Sequence, residues 1–97
     1  MKDFILSPQA RLDLIEIWTY IAEEDIDAAD RLRERLHEAI LKIAEMPGIG
    51  HLREDLADEP LRFWPVSHYL IIYRADSEPL EIVRILSSRR DVRALLN

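Results

Sequence analysis

The sequence predicts an α+β fold with the element order β-αα-βββ, in which a helical hairpin packs on one face of a small antiparallel sheet. Two patterns indicate this fold. Apolar residues recur every three or four positions between residues 8 and 45, and short runs rich in Leu, Ile, Val and aromatic residues follow residue 60. A chain of 97 residues has room for one modest core, so we expect a single domain over residues 1–97.

The first predicted elements are a strand at Lys2–Leu6 and a helix from Pro8 to about Glu24. Ser7 is a good N-cap residue, and proline suits the first helical position. The helix is amphipathic, and Asp13 lies off its apolar stripe. The stripe consists of Leu14, Ile17, Trp18, Ile21 and Ala22.

A second helix follows the break at Asp25-Ile26-Asp27, and we expect Asp27 to be its N-cap. Its apolar stripe consists of Ala29, Leu32, Leu36, Ala39, Ile40 and Ile43. The helix must end at Met46-Pro47-Gly48-Ile49-Gly50, because proline removes a backbone donor and both glycines of the chain lie in this stretch. A connecting loop to about Pro60 follows.

Three strands are predicted at Leu61–Val66, Tyr69–Arg74 and Leu80–Leu86, and their short connections indicate an antiparallel meander. The first strand joins this sheet at an edge or at its centre. The middle strand is apolar at both alternating sets of positions, as expected of a central strand that the fold covers on both faces or that a protein partner covers on one of them. The tail after Ser87 is expected to form a helical turn.

Composition narrows the class of protein. Apolar residues make up 48% of the chain and charged residues 33%, as in ordinary globular proteins, and no apolar run approaches the ~18 residues of a membrane span. The absence of cysteine excludes disulfides, thiolate catalysis and cysteine-based zinc sites. Because the start of the chain also lacks the apolar stretch of a secretory signal, we expect a protein of the reducing cytoplasm.

The net charge of −6 disfavours a generic nucleic-acid binder, since an acidic surface repels phosphates. The charge is unevenly distributed: residues 1–48 hold 11 acidic and 6 basic residues, whereas residues 62–97 hold 4 acidic residues and 6 arginines. Such asymmetry is typical of acid-rich helices followed by arginine-bearing strands, or of a structural half followed by a binding half.

Few residues suggest catalysis. None of the five serines has the context of a nucleophile elbow, and the three histidines lack the short spacing of a metal site. Both glycines follow a helix and end it, whereas a phosphate-binding loop opens one. We therefore expect no metal and no cofactor.

What remains is a group of arginine and aromatic residues on or beside the strands, a combination suited to binding phosphates and bases. The group consists of Arg62, Arg74, Arg84, Arg89, Arg90 and Arg93 with Trp64, His68, Tyr69 and Tyr73. Strand alternation places Tyr73 and Arg74 on opposite faces, which argues against one flat catalytic site. The alternative is that the arginines pair with Glu78, Glu81 or Asp91 while the aromatic side chains fill the core.

Three stretches of the second half form a familiar pattern. They are Arg62-Phe63-Trp64-Pro65-Val66-Ser67-His68-Tyr69-Leu70-Ile71-Ile72-Tyr73-Arg74, Glu81–Leu86 and Arg89-Arg90-Asp91. The first half adds Ser7-Pro8-Gln9-Ala10, Ile17-Trp18 and the helix exit at Pro47-Gly48-Ile49-Gly50. In their order and spacing these segments resemble the ParE branch of the RelE/ParE toxins of bacterial type II toxin–antitoxin systems, over essentially the whole chain.

The resemblance implies the β-αα-βββ fold and a cognate antitoxin whose C-terminal segment wraps the toxin. ParE-type members inhibit DNA gyrase by binding, so the resemblance implies an inhibitor that is not an enzyme. It also implies a chain without a membrane partner and without sequence-specific DNA binding of its own. We expect the antitoxin to occupy a groove between the central strand and the helical hairpin.

The resemblance also implies a surface for binding the target or the antitoxin, with no catalytic role. Its candidate residues are Arg62, Trp64, Tyr69, Tyr73, Arg74, Arg84, Arg89, Arg90 and Asp91. Two alternatives stay open. One is a RelE-type, ribosome-dependent mRNA interferase that uses Arg62, Arg84, Arg89 or Tyr73, and the other is a relative that binds only its antitoxin.

Two departures from the family pattern weigh against the interferase. Many relatives carry a histidine where Ser87 stands, and a histidine there would offer an acid or base. Toxins of this type are often basic, whereas this chain carries −6, and binding to ribosomal RNA depends on neutralising phosphates.

Overall fold

The protein is a five-stranded mixed sheet with helices on both faces, as seen in a computed structural model that describes residues 3–97. Lys2, the predicted start of the first strand, lies outside these residues. The elements are β1 (Phe4–Leu6), α1 (Pro8–Ala22), α2 (Ile26–Glu45), a 3-10 turn (Pro47–Ile49), β2 (His51–Leu52), β3 (Arg62–Val66), β4 (Tyr69–Arg74), β5 (Leu80–Ser87) and α3 (Val92–Leu96). The predicted α+β class is confirmed. None of the described helices is long and apolar enough to cross a membrane.

The sheet has the strand order β1-β5-β4-β3-β2. The antiparallel meander β3-β4-β5 is confirmed. The sheet as a whole is mixed and not antiparallel as predicted, because β1 lies at one edge, parallel to β5. The opposite edge is β2, which the sequence did not predict because its two exposed residues, His51 and Leu52, carry no alternation of apolar and polar positions. Both edge strands are therefore short.

Both long helices begin at side-chain caps. The Oγ of Ser7 accepts a hydrogen bond from the N–H of Ala10 at 3.0 Å and donates one to the carbonyl of Val83 at 2.7 Å, so this cap also ties α1 to β5. The prediction of Asp27 as the cap of α2 was wrong. Asp25 is the cap, because its backbone is extended (φ −155°, ψ 99°) and its carboxylate accepts from the N–H of Ala28 at 3.0 Å.

The helical hairpin covers one face of the sheet, as predicted. Side chains from α2 and the central strands form a buried first core, which includes Leu36, Ile40, Ile43, Ile71, Tyr73, Ile82 and Ile85. The indole N–H of Trp18 donates to Asp30 at 2.9 Å and holds α1 against α2. This is the larger of the two cores that flank the sheet.

The opposite face of the sheet is covered by the chain itself. A second core forms there between the sheet, the loop of residues 53–61 and α3, and it consists of Ala57, Leu61, Phe63, Ile72, Leu86 and Val92. Of the two covers expected for the central strand, the structure has the one within the fold, and no partner is needed on this face, since Ile72 is fully buried within the chain. The covering segments are a loop and α3, which is the helical turn expected in the tail. Periodicity is a local pattern and could not reveal that these segments fold back over the sheet.

Candidate binding surfaces

Tyr73 is a core residue and does not belong to a surface. Its side chain is fully buried, and its hydroxyl donates to the carbonyl of Pro47 at 2.6 Å and accepts from the N–H of Gly50 at 2.8 Å. Burial raises the pKa of Tyr73 above its usual value, and the hydrogen bond from Gly50 opposes this only in part. Tyr73 was a candidate for contacting a partner, but in the folded chain it has no exposed surface with which to do so.

Arg84 is held inside the chain by an ion pair with Asp13. Its Nε and Nη2 donate to the two carboxylate oxygens of Asp13 at 2.8 and 2.9 Å. Asp13, expected on the outer side of α1, is only 5% exposed and also accepts from the N–H of Ile85 at 2.9 Å. The hydrogen bonds that Arg84 donates to Asp13 are the main cause of the raised pKa of Arg84. This guanidinium is not free to contact a partner.

Arg74 and Arg62 are also engaged within the chain. Arg74 pairs with Glu81 at 3.0 Å and with Glu59 at 3.2 Å, and its hydrogen bond to Glu59 is the main cause of its raised pKa. The pairing of strand arginines with Glu81 was the predicted alternative, and it is confirmed at Arg74. Arg62 donates from Nη1 to the carbonyl of Gly50 at 2.8 Å.

Trp64 is half-buried beside the first core. The His51 ring stacks against it with centroids 6.4 Å apart and planes inclined by 13°, and the Nζ of Lys42 lies 5.5 Å from its centroid. Such stacking and cation–π contacts hold the indole in place. Trp64 thus has neighbours within its own chain.

Arg89 and Arg90 differ from the other candidate arginines, because they are exposed and form no ion pair with any residue of the described range 3–97. Together with Tyr69 they line a cleft of about 450 Å³ between α1 and the neighbouring ends of β4 and β5. We call it the arginine cleft. Asp91 does not line it but caps α3, accepting from the N–H of Ala94 at 3.2 Å.

Sequence reasoning missed Tyr20 as a residue of this cleft. Tyr20 lines the wall formed by α1, together with Glu16, and its side chain is 74% exposed. The available signal was a large aromatic residue off the apolar stripe of an amphipathic helix. His68, in the turn between β3 and β4, completes the opposite wall.

A second depression, which we call the apolar groove, has a volume of about 570 Å³ and lies between β1, α1 and α2. Its floor is formed by Phe4, Leu6, Leu14, Leu36 and Ile40, and its rim by Arg33, Glu34, His37 and Glu38. The prediction of a groove between the central strand and the helical hairpin was wrong, because β4 is buried by the hairpin on one face and by the loop of residues 53–61 and α3 on the other. The open apolar surface lies instead at the β1 edge. Across residues 3–97, no three potential metal ligands come together.

Comparison with known proteins places this architecture in a defined class of small toxins. Residues 4–92 match the family model described as the ParE toxin of the type II toxin–antitoxin system parDE. The chain is 39% identical to Toxin ParE1 of Caulobacter vibrioides over 99% of both chains. It is 32% identical to Toxin ParE1 of Mycobacterium tuberculosis over 92% of both chains.

The fold also matches a solved structure. A chain of the chromosomal ParDE toxin–antitoxin system from P. aeruginosa superimposes with a TM-score of 0.71 at 18% identity, covering 90% of this chain and 96% of that one. The architecture and the family match together define a toxin of a type II toxin–antitoxin system. The chain belongs to the ParE toxin family.

Proposed function

We propose that this chain inhibits DNA gyrase by binding it, that its cognate antitoxin neutralises it, and that it acts in the cytoplasm, where gyrase works. The observation that supports binding over catalysis is that two of the four candidate catalytic side chains, Tyr73 and Arg84, are engaged within the chain. Tyr73 is buried with its hydroxyl fully hydrogen-bonded, and Arg84 is paired with Asp13. An acid or base in RNA cleavage must reach the substrate, and a buried phenol does not.

The apolar groove supports the antitoxin as a partner. Its floor is apolar and its rim carries charges of both signs, the pattern that accepts the apolar face of an amphipathic segment. β1 is a three-residue strand at the edge of the sheet, and its Phe4 and Leu6 side chains line the groove. We propose that the C-terminal segment of the antitoxin lies along this groove.

The proposed target is tested by a supercoiling assay with purified chain and the complete gyrase heterotetramer. We expect relaxed plasmid to remain relaxed as the chain is added, and supercoiling to return when the antitoxin is added in equal amount. Undiminished supercoiling at a large excess of the chain would refute gyrase inhibition. Cleavage of ribosome-bound message under matched conditions would instead support the interferase.

The groove is tested by His37→Glu, which places a negative charge on its rim, with Gln9→Glu as a matched control at an exposed site outside the groove. Docking an apolar face against the new carboxylate would desolvate an unpaired charge. We expect His37→Glu to weaken binding of the full-length antitoxin, encoded beside the toxin, about tenfold. Gln9→Glu should leave that affinity within about twofold, and equal effects of the two variants would contradict the proposal.

A further inference from the structure

The arginines of the second half fall into two groups by their contacts. Arg62, Arg74, Arg84 and Arg93 each bond to a carbonyl or a carboxylate of the chain. The guanidinium groups of Arg89 and Arg90, in contrast, bond to no carbonyl and no carboxylate of residues 3–97. In a chain of net charge −6, two adjacent unpaired guanidinium groups form a local positive site.

The backbone holds this site in a defined position. The N–H and Oγ of Ser88 both donate to the carbonyl of His68, at 2.8 and 3.0 Å, and the N–H of Arg89 donates to the Oγ of Ser87 at 3.2 Å. These bonds join the turn at residues 87–90 to the turn between β3 and β4. A partner that binds here does not first have to order the backbone.

The walls of the arginine cleft favour a protein over a nucleic acid. Tyr20, Tyr69 and His68 provide flat surfaces with polar ends, a composition common at protein interfaces. Glu16 lies beside Tyr20 in the wall formed by α1, and it would repel a run of phosphates, each with its own charge, more than a segment with one or two carboxylates. Asp13 also lines the cleft, but its charge is neutralised by Arg84. An aspartate or glutamate with flanking apolar residues fits this mixture.

We propose that the arginine cleft binds an acidic segment of gyrase, whose carboxylates pair with Arg89 and Arg90 while its apolar side chains pack on Tyr20 and Tyr69. This inference rests on the proposed inhibition of gyrase and assigns the surface through which the chain contacts gyrase. The cleft and the apolar groove lie on different sides of α1: Leu14 faces the groove, whereas Glu16 and Tyr20 face the cleft. The target and the antitoxin thus have separate primary contacts.

The test compares two double charge reversals of equal size. Arg89→Glu/Arg90→Glu inverts the charge of the arginine cleft. Arg31→Glu/Arg35→Glu makes the same change in net charge at exposed positions of α2 that line neither the cleft nor the apolar groove. In the supercoiling assay we expect the cleft variant to need at least about ten times more protein for half-inhibition, because like charges face each other across the contact. The control should stay within about twofold of the wild type.

Antitoxin affinity is measured on the same variants, and circular dichroism checks their fold. We expect the cleft variant to bind antitoxin within about twofold of the wild type. If the reversal does not fold, Arg89→Gln/Arg90→Gln removes the charges without inverting them and takes its place. A folded cleft variant that loses antitoxin binding but still inhibits gyrase would overturn the inference in favour of the antitoxin as occupant.

The remaining outcomes separate the inference from the function on which it rests. Equal inhibition by the wild type and the cleft variant would overturn the cleft alone. A wild type that does not inhibit gyrase at all would overturn the proposed function and the cleft together. Retardation of linear duplex DNA by the wild type, lost in the cleft variant, would make nucleic acid the occupant and overturn the inference.

Discussion

At the scale of single residues, Tyr73 and Gly50 depend on each other. The hydroxyl of Tyr73 approaches the backbone of Gly50 so closely that a Cβ added there would lie 2.5 Å from it. The φ of Gly50 is −72°, which any residue adopts, so close approach alone demands glycine here. Gly48, in the same turn, has no atom within 4 Å of the corresponding position.

We predict that Gly50→Ala destabilises the protein and Gly48→Ala does not. The methyl at residue 50 must push the Tyr73 ring out of a packed core, which costs about 2 kcal/mol of the free energy of unfolding. The methyl at residue 48 enters open space, and its effect should stay within about 0.5 kcal/mol. Urea unfolding followed by tryptophan fluorescence measures both. Equal losses at the two glycines would contradict this account.

The buried phenol of Tyr73 also predicts a dependence of stability on alkaline pH. Burial raises the pKa of Tyr73 in the folded state, while the unfolded chain keeps the ordinary value near ~10. The unfolded state therefore loses its proton first, so the stabilising contribution is complete below about pH 10 and is lost as pH rises through the folded pKa.

The comparison is between the wild type and Tyr73→Phe, unfolded in urea from pH 7 to 11. Tyr73→Phe is less stable at neutral pH, because the N–H of Gly50 and the carbonyl of Pro47 lose their partner. The difference between the two proteins should shrink above pH 10. A constant difference across this range would show that the phenol does not contribute to the alkaline loss.

At the scale of elements, one side chain joins parts of the chain that lie on different faces of the sheet. Arg84 in β5 binds Asp13 of α1 on the hairpin side, and its Nη1 lies 3.4 Å from the carbonyl of Leu95 in α3 on the other side. Arg84 lies beyond the end of β1, where β5 has a neighbouring strand only on its β4 side. The pair closes the gap between the two layers at this edge.

We predict that Asp13→Ala costs about 3 kcal/mol of stability, because it leaves the guanidinium of Arg84 and the N–H of Ile85 without their partner. The double variant Asp13→Leu/Arg84→Met removes both charges and fills a similar volume, and it should recover most of that loss. Urea unfolding of the three proteins measures the difference. A double variant as unstable as Asp13→Ala would argue against an unpaired charge as the cause.

At the scale of the whole molecule, one sheet separates two cores. The radius of gyration of 12.9 Å is about that expected for a compact domain of this length. Adjacent residues of β4 serve different cores, since Ile71 lies in the first and Ile72 in the second. Neither core can be lost without exposing the strand that the other one needs.

We predict that the isolated chain unfolds in a single cooperative transition, without an antitoxin to cover its sheet. Val92→Ala, in the second core, should lower the free energy of unfolding by about 2 kcal/mol. The fluorescence of Trp18 and Trp64, both on the hairpin side of the sheet, should shift together with the circular dichroism signal. The control is Ile15→Ala, at a side chain 57% exposed, with an effect within about 0.5 kcal/mol. Two separated transitions would refute the coupling of the cores.

Much of the fold was predictable because its signals are local. Each signal is read from residues that are near one another in the sequence. Examples are the apolar stripe of α2, the residues Pro47 and Gly50 that end this helix, and the apolar runs of the strands. The same locality explains the small errors. The choice of Asp25 over Asp27 as a cap depends on one pair of backbone angles, and the two residues of β2 are too few to show a pattern.

The sequence by itself determined the class, the element order and the family, together with a set of nine candidate residues. Only the tertiary structure decided which candidates are accessible, by burying Tyr73, pairing Arg84 and leaving Arg89 and Arg90 exposed. The physical reason is distance along the chain. Asp13 and Arg84 are 71 positions apart, and whether an arginine is neutralised depends on which carboxylate the folded backbone brings within reach.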